Sequence, residues 1–507
     1  MFSAMFRSFT AQRPGPVVLV CLAAITLTGA AMRLYGLSNQ SLWFDEVCSW
    51  HTATQPTLAG VWSGDIAWNM YPPLYGFVLR AAAVLFGTAE WALRLPSALA
   101  GIAAIPLIYL AAARVYGDIE GLLSSGFAAF LMFPLYFAQE ARPYALLLCS
   151  VLAAVLAWTY VYPAWREGRR APRAALTVYF AASVCAAYLH YFGLLFVALH
   201  GMTTFALLAR NRFGLVRATG FYAATALAFA PWLPYMAWHL THQSEGPQNP
   251  PPDANIAVSL WQYVESLFNH GQTGQPFAPL VTAVAFLLMV LALMHDLVTP
   301  KGNKDGDTPR AQRPRAAVLL AWLLLPFLIA YVKSAVSASV FTHRNLIISL
   351  PIVYMLVARG LARSPFPRPV VAGMCAVILL ACCARTLASG YYTAPHKDQL
   401  REAVAVVKAN ETNYPDAALV VYSHLPFVFD YYLQRFGSTL RPERVAGKAE
   451  HIDAMRAFVR DRKPAALWYL CTNANPEDAF VDYLNAEFTV VGLHRFLRAD
   501  AMLLVPK

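Results

Sequence analysis

The sequence predicts an α-helical polytopic membrane protein with about eleven transmembrane helices, interfacial helices and a small C-terminal α/β domain. Its 507 residues are 58% hydrophobic and only 13% charged, whereas soluble domains carry about 25% charged residues. Apolar runs of roughly 17 to 23 residues, long enough to cross a bilayer, recur up to residue 389. Beyond that point the composition is mixed. We therefore predict a transmembrane domain over residues 1–389 and an α/β domain over residues 390–507.

The candidate spans are separated by short polar loops. They lie at 16–35, 92–113, 121–138, 143–163, 174–190, 193–209, 218–240, 276–298, 316–336, 345–361 and 369–389. The first span could instead be a cleaved signal peptide, because Thr28-Gly29-Ala30 offers small residues. Segment 72–88 is short, opens with Pro72-Pro73 and carries Arg80, so we interpret it as an interfacial helix. A short spanning helix is the alternative, and it would invert every later span.

Basic residues concentrate in alternate loops, and this pattern predicts the orientation. With the N-terminus inside, the inner loops contain Arg114, Arg166, Arg169, Arg170, Arg173, Arg210, Arg212, Arg217, Lys301, Lys304, Arg310, Arg313, Arg315, Arg359, Arg363 and Arg368. Such an excess is typical of loops that stay in the cytoplasm. The net charge of +11 therefore does not indicate nucleic-acid binding, which would need a basic face on a soluble domain.

An adjacent acid pair, Asp45 and Glu46, follows the first span and lies between aromatic residues. Carboxylates held close to a membrane are poorly solvated and costly to keep charged, so they indicate a functional site. The other motifs on the predicted outer face are Asp65, Tyr71-Pro72-Pro73-Leu74, Gln139 to Tyr144, His190-Tyr191, Lys333 and His343-Arg344. The sequence thus predicts a membrane enzyme whose chemistry lies on the outer side.

The segment after residue 390 has the pattern of a small α/β domain. We predict a helix at 397–410, a strand at 417–422, a helix near 426–436 and strands at 465–471 and 488–493. Residues 299–315 are predicted to form a flexible inner loop. None of the eight cysteines has a spacing that fits a zinc site.

The ordered motifs resemble the GT-C superfamily of membrane glycosyltransferases, in particular the bacterial relatives of protein O-mannosyltransferases and of the aminoarabinose transferase, of glycosyltransferase family 39 type. The segments that carry the resemblance are Trp43-Phe44-Asp45-Glu46, Tyr71-Pro72-Pro73-Leu74, Arg94-Leu95-Pro96-Ser97, Gln139-Glu140-Ala141-Arg142, His190-Tyr191 and Arg344. The resemblance is dense over 36–200 and thin afterwards. One departure is Tyr71, because relatives often have His or Lys before the two prolines.

The resemblance implies transfer of a sugar from a polyprenyl phosphate to an acceptor hydroxyl or phosphate, with inversion at the anomeric carbon. It places the site and the C-terminal domain in the periplasm of a bacterial inner membrane, with residues 36–91 as the first periplasmic loop. Asp45 is the candidate base, and Glu46 either joins it in catalysis or orients the loop. Arg142 and Arg344 are expected to bind the donor phosphate, with Lys333 and His343 behind them. The supporting residues are Glu140, Tyr144, His190 and Tyr71.

Several alternatives stay open from the sequence. A divalent metal is possible, because Asp45, Glu46, Glu140 and His190 are suitable ligand types, but none is assigned. The expected partners are the lipid-linked sugar donor, membrane lipids and a glycan, lipid or protein acceptor. A membrane transporter or lipid flippase is the alternative function. The lack of a visible repeat and the gathering of the polar motifs on one face argue against it. A third reading is a family member that serves only as a binding subunit.

Overall fold

The computed structural model describes residues 14–63, 71–241, 250–298, 309–444, 447–472 and 475–507. Asp65 and residues 299–308 of the predicted inner loop lie outside the described residues. The remainder of that loop differs from the prediction, because helix begins at Pro309. Proline suits the first helical turn, and the Arg, Ala and Gln that follow are good helix formers.

Apolar helices form most of the chain up to residue 388. In chain order they are α1 Pro16–Leu34, α2 Phe44–Ala53, α3 Leu58–Ser63, α4 Leu74–Phe86, α5 Glu90–Val115, α6 Asp118–Phe130, α7 Met132–Ala138, α8 Tyr144–Arg166, α9 Arg173–Leu189, α10 Tyr191–Leu208, α11 Arg212–Phe229, α12 Leu233–Thr241, α13 Ile256–Asn269, α14 Ala278–Val298, α15 Pro309–Val336, α16 Leu350–Ala362 and α17 Arg368–Ala388. Within the described residues, nine helices are long and apolar enough to cross a membrane, or ten if one bent pair counts as a span. All eleven predicted spans are helical, and the helix in the fifth, α9, has only 17 residues.

The bent pair consists of α6 and α7, which meet at an angle of 57°. The break leaves carbonyl groups at the end of α6 without helical partners. Arg33 of α1 donates to the carbonyls of Ala128 and Ala129 at 2.5 and 2.9 Å, and Thr386 donates to that of Phe130 at 2.7 Å. These bonds stabilise the bend, which carries the chain into the turn at residues 139–142.

Three short helices, α2, α3 and α4, follow α1. Glu46 reaches back to the backbone N–H of Trp43 at 3.4 Å and so caps the start of α2. Helix α4 has 13 residues, which is about 20 Å of helix and too short to cross a bilayer. Its predicted interfacial location is compatible with this length.

The C-terminal segment folds into a five-stranded sheet with flanking helices. The elements are α18 Leu400–Ala409, β1 Ala418–Tyr422, α19 Asp430–Arg435, β2 Pro442–Glu443, α20 Ile452–Arg462, β3 Leu467–Thr472, α21 Asp478–Glu487, β4 Phe488–Phe496 and β5 Ala499–Pro506. The strand order is β2-β1-β3-β5-β4. Strand β1 is parallel to β2 and β3, whereas β5 is antiparallel to β3 and β4. The predicted small α/β domain is confirmed.

The C-terminal domain packs directly on the segment that follows α1. Leu42 and Trp50 share one buried apolar cluster with Leu400 and Tyr432 of the C-terminal domain. The backbone N–H of Leu42 donates to the Tyr432 hydroxyl at 2.7 Å. This shared core fixes the start of α2 against both domains, and α2 carries the acid pair.

Candidate active site

Asp45 lies in the first turn of α2 and contacts two arginines from distant parts of the chain. Arg344 Nη1 donates to Asp45 Oδ2 at 2.8 Å, and Arg142 Nη2 lies 3.6 Å from the same oxygen. Arg142 Nη1 also donates to the backbone carbonyl of Asp45 at 3.0 Å and to Ser49 Oγ at 3.1 Å. The Asp45 side chain is 19% exposed. The structure therefore brings together the predicted base and the two predicted phosphate-binding residues.

The two guanidinium groups determine the charge state of Asp45. Burial by itself disfavours the ionised carboxylate, but the charges of Arg142 and Arg344 outweigh it and lower the pKa of Asp45. Asp45 is consequently ionised at neutral pH. One carboxylate and two guanidinium groups carry a net charge of about +1, which suits a phosphodiester anion.

Glu46 points the other way and is completely buried. Arg94 of α5 donates to its two carboxylate oxygens at 2.8 and 2.6 Å, and the backbone N–H of Ala141 donates at 2.7 Å. Lys397 Nζ lies 3.3 Å from Glu46 Oε2. Burial opposes ionisation, but Arg94 and Lys397 together lower the pKa of Glu46 to about 2. Through these contacts Glu46 joins α2 to α5 and to the turn at 139–142. The predicted role of Glu46 in catalysis stays a prediction.

Glu140 lies in that turn, next to this ion pair, and is also fully buried. The Tyr136 hydroxyl faces the Glu140 carboxylate, and Lys397 Nζ is 3.9 Å from Oε1. Burial raises the pKa of Glu140 to about 7, against the opposing charge of Lys397. The group is thus close to its titration point at neutral pH.

Aromatic side chains surround the arginines. The hydroxyls of Tyr71 and Tyr144 are 3.3 Å apart, and the Arg142 guanidinium lies 4.8 Å from the centre of the Tyr71 ring. Arg344 lies 5.8 Å from the centre of the Tyr144 ring. The His190 ring packs 4.8 Å from that of Tyr71. Tyr71 thus supports Arg142 through its ring, at a position where a basic side chain is expected from the resemblance.

The histidines near the site are poor candidates for carrying positive charge. Burial, followed by the charges of Arg142 and Arg344, lowers the pKa of His190 to about 3. His190 Nδ1 accepts from the backbone N–H of Phe192 and caps α10. Burial also lowers the pKa of His343. Neutral imidazoles of this kind can hydrogen-bond to a phosphate but cannot neutralise it.

Lys333 does not contact Asp45 or the two arginines that surround it. Its ammonium group donates to the backbone carbonyl of Ala338 at 2.6 Å, within the loop that follows α15. The structure therefore does not bring Lys333 into contact with Asp45, Arg142 or Arg344. Its predicted role behind the arginines stays a prediction.

Lys397 is a residue at the site that the sequence patterns did not predict, and Arg94 was known only as part of a motif. Arg94 also donates to the backbone carbonyls of Leu37 and Ser41 at 2.7 and 2.9 Å. The Arg-Leu-Pro-Ser motif signalled Arg94. Lys397 belongs to no motif, and its one signal is its position at the start of the helix predicted at 397–410.

The described residues do not offer a metal site. No group of three His, Cys, Asp or Glu side chains in this part of the chain has the geometry to hold an ion. The Asp45 carboxylate already faces two guanidinium groups, which a cation would have to displace. We derive no step through a metal.

Comparison with known proteins identifies the fold. Residues 70–238, about a third of the chain, match the model of the dolichyl-phosphate-mannose-protein mannosyltransferase family. The structure is similar to ArnT from Cupriavidus metallidurans in the apo state, with 14% identity, a TM-score of 0.60 and coverage of 96% of this chain and 97% of that one. The same protein bound to undecaprenyl phosphate gives 15% identity, a TM-score of 0.55, and coverage of 96% and 97%.

A second similar structure is the Archaeoglobus fulgidus oligosaccharyltransferase in complex with Zn and sulfate. It has 12% identity and a TM-score of 0.53, and the match covers 89% of this chain and 68% of that one. A search of curated protein sequences found no match. The chain has the fold of the GT-C membrane glycosyltransferases, and the resemblance inferred from its motifs is confirmed.

Proposed function

We propose that this protein transfers a sugar from a polyprenyl-phosphate carrier to an acceptor hydroxyl or phosphate at the outer face of a bacterial inner membrane. The observation that carries the proposal is the contact of Asp45 with Arg142 and Arg344 at one end of the helix bundle. A base and two cations within one site are what this transfer needs. The likeness to ArnT, which has been solved with undecaprenyl phosphate, supports the choice of donor.

In this mechanism the acceptor oxygen attacks the anomeric carbon as the bond between that carbon and the phosphate oxygen breaks. The bonding electron pair goes to the phosphate, whose growing negative charge Arg142 and Arg344 stabilise. An acceptor hydroxyl gives its proton to Asp45. The products are the glycosylated acceptor and the polyprenyl phosphate, and a single displacement inverts the anomeric configuration.

The ligand-free contacts also suggest how the donor activates the base. Asp45 shares Arg344 with any phosphate that binds there, because Arg344 donates to Asp45 Oδ2 at 2.8 Å. A bound phosphate therefore draws part of that positive charge away from the carboxylate. The pKa of Asp45 then rises toward its usual range, and the carboxylate becomes a better proton acceptor when the donor is present.

The proposed orientation is supported by the charges at the opposite end of the helix bundle. Helix α8 runs from Tyr144, beside Arg344, to Arg166, and the loop residues Arg169 and Arg170 beyond its far end are exposed. Positive charge in such a loop favours the cytoplasm. This charge pattern supports a periplasmic location for the acid pair and the C-terminal domain. Residues 36–91 are then the first periplasmic loop.

The test is transfer by the purified full-length protein in lipid nanodiscs. Polyprenyl phosphates carrying radiolabelled hexoses or pentoses are mixed with cell-envelope glycans, lipids or proteins, and the label on each acceptor class is measured. Wild-type protein is expected to transfer at least one sugar, and Asp45→Asn to be inactive while remaining folded and inserted. Full activity of Asp45→Asn would remove Asp45 from the mechanism. In sealed proteoliposomes, movement of the lipid across the bilayer without sugar release would favour a transporter.

A further inference from the structure

Lys397 connects the C-terminal domain to the buried side of the candidate active site. It lies in the segment between α17 and α18, and its side chain is 2% exposed. Its ammonium group donates to the backbone carbonyl of Gln139 at 3.2 Å. It also lies 3.3 Å from Glu46 Oε2 and 3.9 Å from Glu140 Oε1. One side chain therefore contacts both α2 and the turn at 139–142.

The segment that carries Lys397 is attached on one side to the last turn of α1 and on the other side to the chain that follows α1. The Tyr392 hydroxyl donates to the carbonyl of Met32 at 2.6 Å. Beyond Lys397, Arg401 of α18 donates to the carbonyls of Ser38 and Asn39 at 2.9 and 2.8 Å. Docking of the C-terminal domain and insertion of Lys397 are consequently one structural event.

The buried charges around Lys397 balance as a set. Glu46 and Glu140 are the two carboxylates, and Arg94 and Lys397 are the two cations. Arg94 makes two hydrogen bonds to Glu46. Within the described residues, Lys397 is the cation in ion-pair contact with Glu140. Without Lys397, Glu140 would have to bind a proton or remain as an uncompensated buried charge, which is strongly unfavourable.

The position of Arg142 depends on this arrangement. Glu140 and Arg142 belong to the same short turn, and Glu46 holds that turn through the N–H of Ala141. Arg142 leaves the turn on the other side to contact Asp45. A shift of the turn by about 1 Å would therefore move a phosphate-binding group, and misplacement of this size can lower a rate by about 100-fold.

We infer that Lys397 is a positioning residue for sugar transfer: by bridging Glu46, Glu140 and the Gln139 carbonyl it holds the turn that presents Arg142 to Asp45. The site is complete only when the C-terminal domain is docked. This inference rests on the proposed function. Lys397 does not touch the substrate in this role, and acts through Glu140 and Arg142.

The titration of these groups supplies a specific signature. Burial and the charge of Arg94 lower the pKa of Lys397 to about 8, although Glu46 and Glu140 oppose them. The other titratable groups facing its ammonium are the Tyr136 ring of α7 and neighbouring His396, whose own pKa burial lowers to about 4. As pH rises through about 8, Lys397 loses its charge and Glu140 loses its counterion. We expect activity to fall on this alkaline side.

The experiment compares Lys397→Met, Lys397→Arg, Glu140→Gln and the double variant Lys397→Met/Glu140→Gln in nanodiscs. Lys408→Met is the matched control, because Lys408 pairs with Glu411 within the C-terminal domain. We expect Lys397→Met to lower kcat by about 10- to 100-fold, and the double variant to recover part of this loss because no buried carboxylate is left unpaired. Lys397→Arg should retain activity and shift the alkaline decline to higher pH, since arginine stays charged. Lys408→Met should behave as wild type.

Wild-type kcat in Lys397→Met, with an unchanged pH profile in Lys397→Arg, would overturn the inference while leaving the proposed function intact. The same conclusion would follow if Glu140→Gln failed to recover any activity of Lys397→Met. If wild-type protein transferred no sugar from any donor, the proposed function would fail by itself. The rate of proteolysis of the C-terminal domain in the same variants would then still measure how firmly this domain docks on the membrane domain. Equal cleavage of wild type and Lys397→Met would refute the role of Lys397 as a bridge between the two domains.

Discussion

Glu46→Gln tests whether the buried ion pair at the start of α2 stabilises the fold. The substitution removes a charge that faces Arg94 at 2.6 Å and Lys397 at 3.3 Å. It also places an amide where the carboxylate accepts from Arg94 and from Ala141. Removing one member of a buried ion pair destabilises a protein by about 3 to 5 kcal/mol, because the remaining charge is buried without compensation.

The pKa of Glu46 leads to a similar magnitude. It falls from the model-compound value of 4.5 to about 2, and each pKa unit corresponds to about 1.4 kcal/mol, so the ionised form contributes about 3 kcal/mol to stability. Because the folded-state pKa is depressed, this contribution is present above about pH 4.5 and is lost as pH falls toward 2. The difference between wild type and Glu46→Gln should therefore be full at neutral pH and shrink in acid.

The assay is thermal unfolding in detergent micelles, followed by tryptophan fluorescence. An unfolding entropy of about 2.1 cal/mol/K per residue converts this destabilisation to a Tm lowered by about 3 to 5 °C. The control is Glu450→Gln, which removes an exposed carboxylate of the C-terminal domain, 69% accessible, and should leave Tm unchanged. Replacing Arg94 by Met in the Glu46→Gln background should recover part of the loss. A Tm of Glu46→Gln equal to that of the control at neutral pH would refute the reasoning.

Three further predictions concern the reaction and the orientation. Arg344→Ala should lower kcat/KM for the lipid-linked donor by about 100- to 1,000-fold. The control Arg170→Ala, at an exposed loop position, should leave kcat/KM unchanged. Equal kinetics of the two variants would exclude Arg344 from donor binding. Arg142 and Arg344 lower the pKa of Asp45, and a bound phosphate competes for them. The fall of kcat at acid pH should therefore occur at higher pH than the fall of kcat/KM. Coincident pH profiles of kcat and kcat/KM would contradict this competition. In a background without other reactive cysteines, Glu450→Cys should react with an impermeant thiol reagent from outside and Arg170→Cys should not, so the reverse labelling would invert the topology.

The helices of the membrane domain could be predicted because their signal is local. A lipid solvent requires each spanning segment to be apolar and to satisfy its own backbone hydrogen bonds, so hydropathy alone located eleven helical segments. Helix α13, which lies between two of these segments, was not predicted. The bend between α6 and α7 was not predictable in this way. It depends on Arg33 and Thr386 reaching the carbonyls of Ala128, Ala129 and Phe130, and these partners are far away in the sequence.

In the C-terminal domain, some strands and helices were predicted and others were missed. The buried strands β1 and β3 have continuous apolar runs, and both were predicted. Strand β5 and helices α20 and α21 were missed. Strand β5 pairs on both sides, with β3 and with β4. Its run from Ala501 to Val505 is as apolar as those of β1 and β3, so the sequence carried a signal for this strand that the prediction did not use.

For the candidate site, the sequence alone indicated that the acid pair and the later motifs lie at one face of the membrane domain, because they follow apolar spans at regular intervals. Only the tertiary structure decided how these charges are paired. It turned Asp45 toward Arg142 and Arg344, buried Glu46 against Arg94, and brought Lys397 to Glu140 from the far end of the chain. The physical reason is that hydropathy is a property of each segment, whereas the energy of a buried charge depends on partners that only the folded chain supplies.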